Sequence, residues 1–160
     1  MTVARTRRDM RYLEDFHAGD RHELGRVVVT RDEIVEYARR WDPMPFHTDE
    51  AAAAAGPFGG LVASGGHTTA HVTRCYVTEL VLDSDCRGSY GLDEVRYLHP
   101  VRPGDELTVH AVVDDVEDHP RRPDTGVVHL RVEAVNHEGE DVIRLRTRLL
   151  MGRRTAVAVG

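Results

Sequence analysis

The spacing of apolar and polar residues divides the chain into two regimes. From Ser89 onward the period is two: Leu107, Val109, Ala111 and Val113 alternate with Glu106, Thr108, His110 and Val112. Val128, Leu130, Val132 and Ala134 alternate with His129, Arg131 and Glu133, and Ile143, Leu145, Thr147 and Leu149 alternate with Arg144, Arg146 and Arg148. Successive side chains of a strand point to opposite faces, so each segment predicts a strand with one buried face. A fourth strand, from Tyr90 to Leu98, is predicted ahead of them. The connections run over Pro100 to Asp105, the proline-rich Asp118 to Thr125, and Asn136 to Glu140, and predict an antiparallel meander.

Before Ser89 the period is helical. Thr30 with Glu33 three residues on matches a capping box, and Ile34, Tyr37, Ala38 and Trp41 follow at helical spacing, predicting a helix from Arg31 to Arg40. Asp42 and Met44 each precede a proline, which disfavours helical backbone, so this helix ends near Trp41. Thr48 is expected to cap a second helix through Ala51 to Ala55, stopped by Gly56-Pro57. Val72, Cys75, Tyr76, Glu79 and Leu80 predict one long helix from Gly66 to Leu82. The short β-branched stretch Gly25 to Val29 predicts a first strand. A sheet with one apolar face needs a cover, and only the long helix is large enough. The expected class is α+β, an antiparallel sheet wrapped around a central helix.

With 160 residues the chain is of single-domain size. Residues 1–11 read as a flexible arm, 12–153 as the domain and 154–160 as a flexible tail. The net charge of −6, with acids interrupting the basic pairs Arg7-Arg8 and Arg39-Arg40, gives no nucleic-acid footprint. No window reaches the roughly 18 to 20 apolar residues of a membrane helix, and Met1 to Arg11 holds no apolar signal-peptide core. A cytoplasmic protein with no membrane partner is expected. Cys75 and Cys86 are expected to be free thiols.

The candidate chemistry lies in Trp41-Asp42-Pro43-Met44-Pro45-Phe46-His47 and in Gly59 to Thr68. Asp42 and His47 are titratable groups five residues apart, a spacing that does not share one helical face. The proline-stiffened loop must therefore bring them together. Gly65 opens the long helix, where the first N–H groups lack intrahelical partners and sit at the positive end of the dipole. Taken singly, Asp42 also reads as a turn residue and His47 as a surface histidine. His67 and His71, at i and i+4, lack a third ligand, so no metal is expected.

These residues resemble the MaoC-like dehydratases, which include the (R)-specific enoyl-CoA hydratases of the hotdog fold. That family's motif has the form Asp-x-Asn-Pro-x-His, matched here at Asp42, Pro45 and His47, with Met44 in place of Asn. Leu61 to Thr68 is similar to the segment entering the family's central helix, with Ser64 where many members carry His, and Val101-Arg102-Pro103-Gly104-Asp105 is similar to a later turn. The resemblance implies reversible hydration of a 2-enoyl thioester carried on coenzyme A or an acyl carrier protein, without a cofactor, by a homodimer. Asp42 and His47 would hold the water, and Gly65, with Ser64, Gly66 and His67 around it, would bind the thioester oxygen. Trp41, Met44, Phe46 and Thr73 are candidate pocket residues, and Arg144, Arg146 and Arg148 read as a solvated strand face or an attractor of phosphates. A hotdog thioesterase and a non-catalytic acyl-binding protein are the alternatives.

Overall fold

The computed structural model describes residues 10–154. The first strand, β1 (Arg21–Val28), precedes three helices: α1 (Arg31–Trp41), α2 (Pro45–Thr48) and α3 (Glu50–Ala54). The long helix α4 (Gly65–Tyr76) continues as a π-helical turn over Val77–Val81. Strands β2 (Cys86–Tyr97), β3 (Glu106–Asp118), β4 (Thr125–Val135) and β5 (Asp141–Gly152) complete the chain.

The predicted alternation is what builds the core. Leu107, Val109, Ala111, Val113, Val128, Leu130, Val132, Ala134, Ile143, Leu145 and Leu149 are all buried, and they meet Val72, Tyr76 and Leu80 of the long helix in one cluster. Each fully buried leucine or valine contributes roughly 1.5–3 kcal/mol of transfer free energy, so this interface dominates the stability.

Four expectations need correction. All neighbouring strands are antiparallel, but the order is β1-β3-β4-β5-β2, so the meander covers only β3, β4 and β5. Strand β2 instead lies at the far edge against β5, and most of it is exposed, which is why no clean alternation marks it. The first strand starts at Arg21 rather than Gly25; its register with β3 shifts between Glu23 and Arg26, where Gly25 takes a φ of +89° that suits glycine in a bulge. Thr48 closes the short helix α2, opened by Pro45 at its first position, and the cap of α3 is Asp49, which accepts from Ala52 N.

Residues 1–9 of the expected arm and 155–160 of the expected tail lie outside the described residues. Arg11 is tied down, its N–H donating to Asp83 O and its carbonyl accepting from Asp85 N, both at 2.8 Å. Arg154 Nη2 donates to both carboxylate oxygens of Asp15, at 2.8 and 2.7 Å. The arginine face of β5 is spent on carboxylates: Arg144 on Glu133 (2.6 Å), Arg146 on Glu94 (3.4 Å) and Arg148 on Asp93 (2.8 Å). Cys75 and Cys86 are free, and no helix of the described residues is long and apolar enough to cross a membrane.

Leu145 is fully buried in the centre of the sheet's inner face. Leu145→Ala should lower the unfolding free energy by about 2–5 kcal/mol in urea titration, the range for leucine truncation in a close-packed core.

Candidate functional site

The capping box of α1 forms as expected: Thr30 Oγ1 accepts from Glu33 N, and Glu33 Oε2 accepts from Thr30 N. The helix ends at Trp41 and releases Asp42 into the loop. There the backbone takes over, with Met44 N donating to Asp42 O at 2.8 Å and His47 N donating to Met44 O at 2.9 Å. Thr48 Oγ1 also donates to Met44 O, at 3.1 Å. Met44 therefore shapes this turn through its peptide groups while its side chain lies exposed.

The turn brings Asp42 and His47 together. His47 Nδ1 lies 2.7 Å from Val62 O, and because a carbonyl only accepts, Nδ1 carries the proton. Nε2 is thereby turned toward Asp42 Oδ2, 3.5 Å away. The same carboxylate oxygen accepts from Ser64 Oγ at 2.7 Å, while Ser64 Oγ accepts from Gly66 N at 3.2 Å as the cap of α4. One hydroxyl thus joins the acid to the start of the long helix. The His47 side chain is 9% exposed and that of Asp42 40%, so the pair faces solvent from the carboxylate side.

His47 also lines a cavity of about 420 Å³, of which Asp42 is not a lining residue. Phe46, Phe58, Leu98, Val101 and Val142 give it apolar walls, and His47, Thr68, Tyr97 and His99 bring polar side chains to it, with Gly65 also in the lining. Gly65 is the first residue of α4, so its N–H has no intrahelical partner. A larger hollow of about 520 Å³ runs along α1, but it is lined by Arg31, Asp32, Val35, Glu36, Arg39 and Arg40 and contains neither the acid nor the base.

The remaining candidates are dispersed. Phe46 lines the cavity and packs edge-on against Phe58 at 5.3 Å. Trp41 is 65% exposed with Arg40 over its ring at 5.0 Å, and neither it nor Met44 nor Thr73 lines the cavity. His67 is turned to the other side of α4, stacked on Tyr37 at 4.9 Å and tilted against His71 at 4.5 Å. No group of three or more metal-ligating side chains occurs among the described residues. Reading the sequence missed Tyr97 and Phe58, which reach the cavity from an edge strand and a glycine-rich turn without any periodic signal.

An antiparallel sheet wrapped around one helix, with an acid and a base held at that helix's first turn, places the protein among the hotdog folds. The chain belongs to the MaoC-like domain family, whose model matches residues 17–136. It is similar in structure to the MaoC-like dehydratase from Rhodospirillum rubrum, 37% identical with a TM-score of 0.83 over 91% of this chain and 99% of that one. It also resembles the R-hydratase PhaJ1 from Pseudomonas aeruginosa, at 20% identity and a TM-score of 0.68, over 93% of this chain and 96% of that one. The uncharacterized protein YdeM of Bacillus subtilis is 27% identical over 126 residues, 79% of this chain and 88% of its own length.

Burial, and next the neighbouring His71, push the His67 imidazole down to about 4, against a raising influence from Glu33. Burial also lowers His71. The unfolded chain therefore takes up these protons first as the pH falls, and stability present above about pH 6.5 is lost progressively toward pH 4. Urea unfolding between pH 7 and 4.5 should show this decline, and His67→Phe, which keeps a ring on Tyr37, should flatten it.

Proposed function

We propose that the protein is a hydro-lyase that reversibly adds water across the double bond of a 2-enoyl thioester carried on coenzyme A or a carrier protein. The observation that carries this reading is the convergence of Asp42 Oδ2 and His47 Nε2, 3.5 Å apart, beside an apolar cavity that also holds the first N–H of α4. That separation lets both acceptors bind one water through its two O–H groups, which leaves an oxygen lone pair free to attack C3 of the enoyl group. As the O–C3 bond forms, the π electrons of C2=C3 move toward the thioester carbonyl, and one water proton passes to the acid/base pair. The Gly65 N–H, at the positive end of α4, stabilises the resulting enolate oxygen. The proton then returns to C2, so H and OH have been added and the thioester is intact.

Ser64 supports the chemistry by orienting Asp42. Its donated hydrogen bond occupies Oδ2 on one side and leaves the carboxylate anchored to the helix that carries the oxyanion donor. Strand β2 is an edge strand with Tyr90 and Leu92 exposed, and we assign it to pairing with a second copy, which would hide that edge.

Crotonyl-CoA hydration, followed as loss of the conjugated thioester absorbance, tests the reading. Asp42→Ala and His47→Ala should each lower kcat/KM by about 10²–10⁴-fold, the range for a positioned acid or base; near-normal turnover in both overturns the assignment. Gly65 supplies a second test. Proline is accepted at a first helical position and deletes the N–H, whereas alanine keeps it, although its Cβ would press on the Tyr97 ring. Gly65→Pro should fall below Gly65→Ala by about 10²–10³-fold in kcat.

A further inference from the structure

The cavity beside Gly65 has one wall that neither the acid nor the base accounts for. Tyr97, at the last position of edge strand β2, lays its ring against the first residue of α4: a Cβ built on Gly65 would stand 2.5 Å from Tyr97 Cε2 and Cζ. The ring is pinned at its far end, where Tyr97 Oη and Thr69 Oγ1 are 3.0 Å apart. Thr69 Oγ1 also donates to Gly65 O at 3.0 Å. A hydroxyl has one proton, so Thr69 gives its own to Gly65 O and must accept from Tyr97. The result is a directed chain from Tyr97 through Thr69 to the carbonyl of Gly65.

This chain fixes the ring of a side chain that is otherwise 56% exposed. Held there, the ring lines the cavity beside Gly65 together with Phe46, Phe58, Leu98 and Val142. At about 420 Å³ the space is near the lower end of small-molecule sites, roughly 300–1,000 Å³. Of its other walls, Val101 and Val142 are at most 3% exposed and His99 Nδ1 lies 2.7 Å from Asp141 O, while Phe58 and Leu98 are exposed at 38% and 40%. Tyr97 is the wall whose ring lies against Gly65 itself.

We propose that Tyr97 is the specificity-determining residue of this site, limiting the acyl group of the thioester to short chains by closing the cavity over Gly65. The inference rests on the reading of the site as an acyl-thioester site, and it adds which thioesters are taken. Its physical basis is exclusion: additional methylenes would have to displace a ring held by Thr69, or remain in water. Each methylene gained or lost in an apolar pocket changes selectivity by roughly 10-fold or more.

The test is calorimetric binding of butanoyl-CoA and octanoyl-CoA, saturated thioesters that bind without being hydrated, to the full-length protein. Tyr97→Val keeps a strand-forming residue and removes the ring; Tyr97→Phe keeps the ring and removes the hydroxyl. Tyr97→Val should move the ratio of affinities toward octanoyl-CoA by at least about tenfold, and Tyr97→Phe should move it less. Urea midpoints close to that of the parent protein show that the variants are folded, and Tyr97→Leu replaces Tyr97→Val if the latter is not. An unchanged ratio in a folded variant without the ring overturns the role of Tyr97, whatever the enzyme does to crotonyl-CoA. A shifted ratio in a protein that fails to hydrate crotonyl-CoA upholds Tyr97 and overturns the hydration reading. Binding of neither thioester by the parent protein overturns both.

Discussion

The hydroxyl of Ser64 holds the site together. It donates to Asp42 Oδ2 and accepts from Gly66 N, so a single atom ties the Asp42 loop to the start of the long helix. Helix starts need such a cap because their first N–H groups have no partner. Here the cap also sets where the carboxylate stands relative to the N–H of Gly65. Moving the helix would move Asp42 with it, so the placement of Asp42, His47 and the Gly65 N–H is a property of the fold.

The two glycines after Ser64 serve close packing, not unusual backbone angles, since neither is among the glycines with positive φ. A Cβ on Gly65 would meet the Tyr97 ring, and one on Gly66 would stand 2.7 Å from Tyr37 Oη. The helix start is thus clamped between a tyrosine of α1 and a tyrosine of β2. Both clamps depend on the sheet's inner face holding α4 in place through Val72, Tyr76 and Leu80. The exposed ion pairs of Arg146 with Glu94 and Arg148 with Asp93 contribute far less, because such pairs are typically worth 0–1 kcal/mol.

The parts of the fold legible in the sequence were those with a period. Leu107, Val109, Ala111 and Val113 announced their strand because one face is wholly buried. Strand β2 could not be placed beside β5 in this way, since an edge strand with few buried residues carries little pattern and strand order is a long-range property. At the site, Asp42 and His47 were legible through their motif and the prolines between them. What was not legible was their coupling to Ser64, a contact across 22 residues that depends on the tertiary fold. Met44 illustrates the same limit in reverse: it departs from the family's Asn, yet the turn is shaped by its backbone. Tyr97 had no signature at all, because its contacts with Gly65 and Thr69 arise only where the end of β2 meets the start of α4.

In the proposed reaction one end of α4 binds the thioester carbonyl while Asp42 and His47 address C2 and C3. The most direct measurement is a crystal structure of the protein with an unreactive crotonyl-CoA analogue bound. The carbonyl oxygen is expected within hydrogen-bond distance of Gly65 N, about 2.7–3.2 Å, with Asp42 and His47 flanking the C2–C3 bond and the acyl tail against Phe46 and Tyr97. An acyl group seated elsewhere, or a carbonyl turned away from the start of α4, would contradict the proposed reaction.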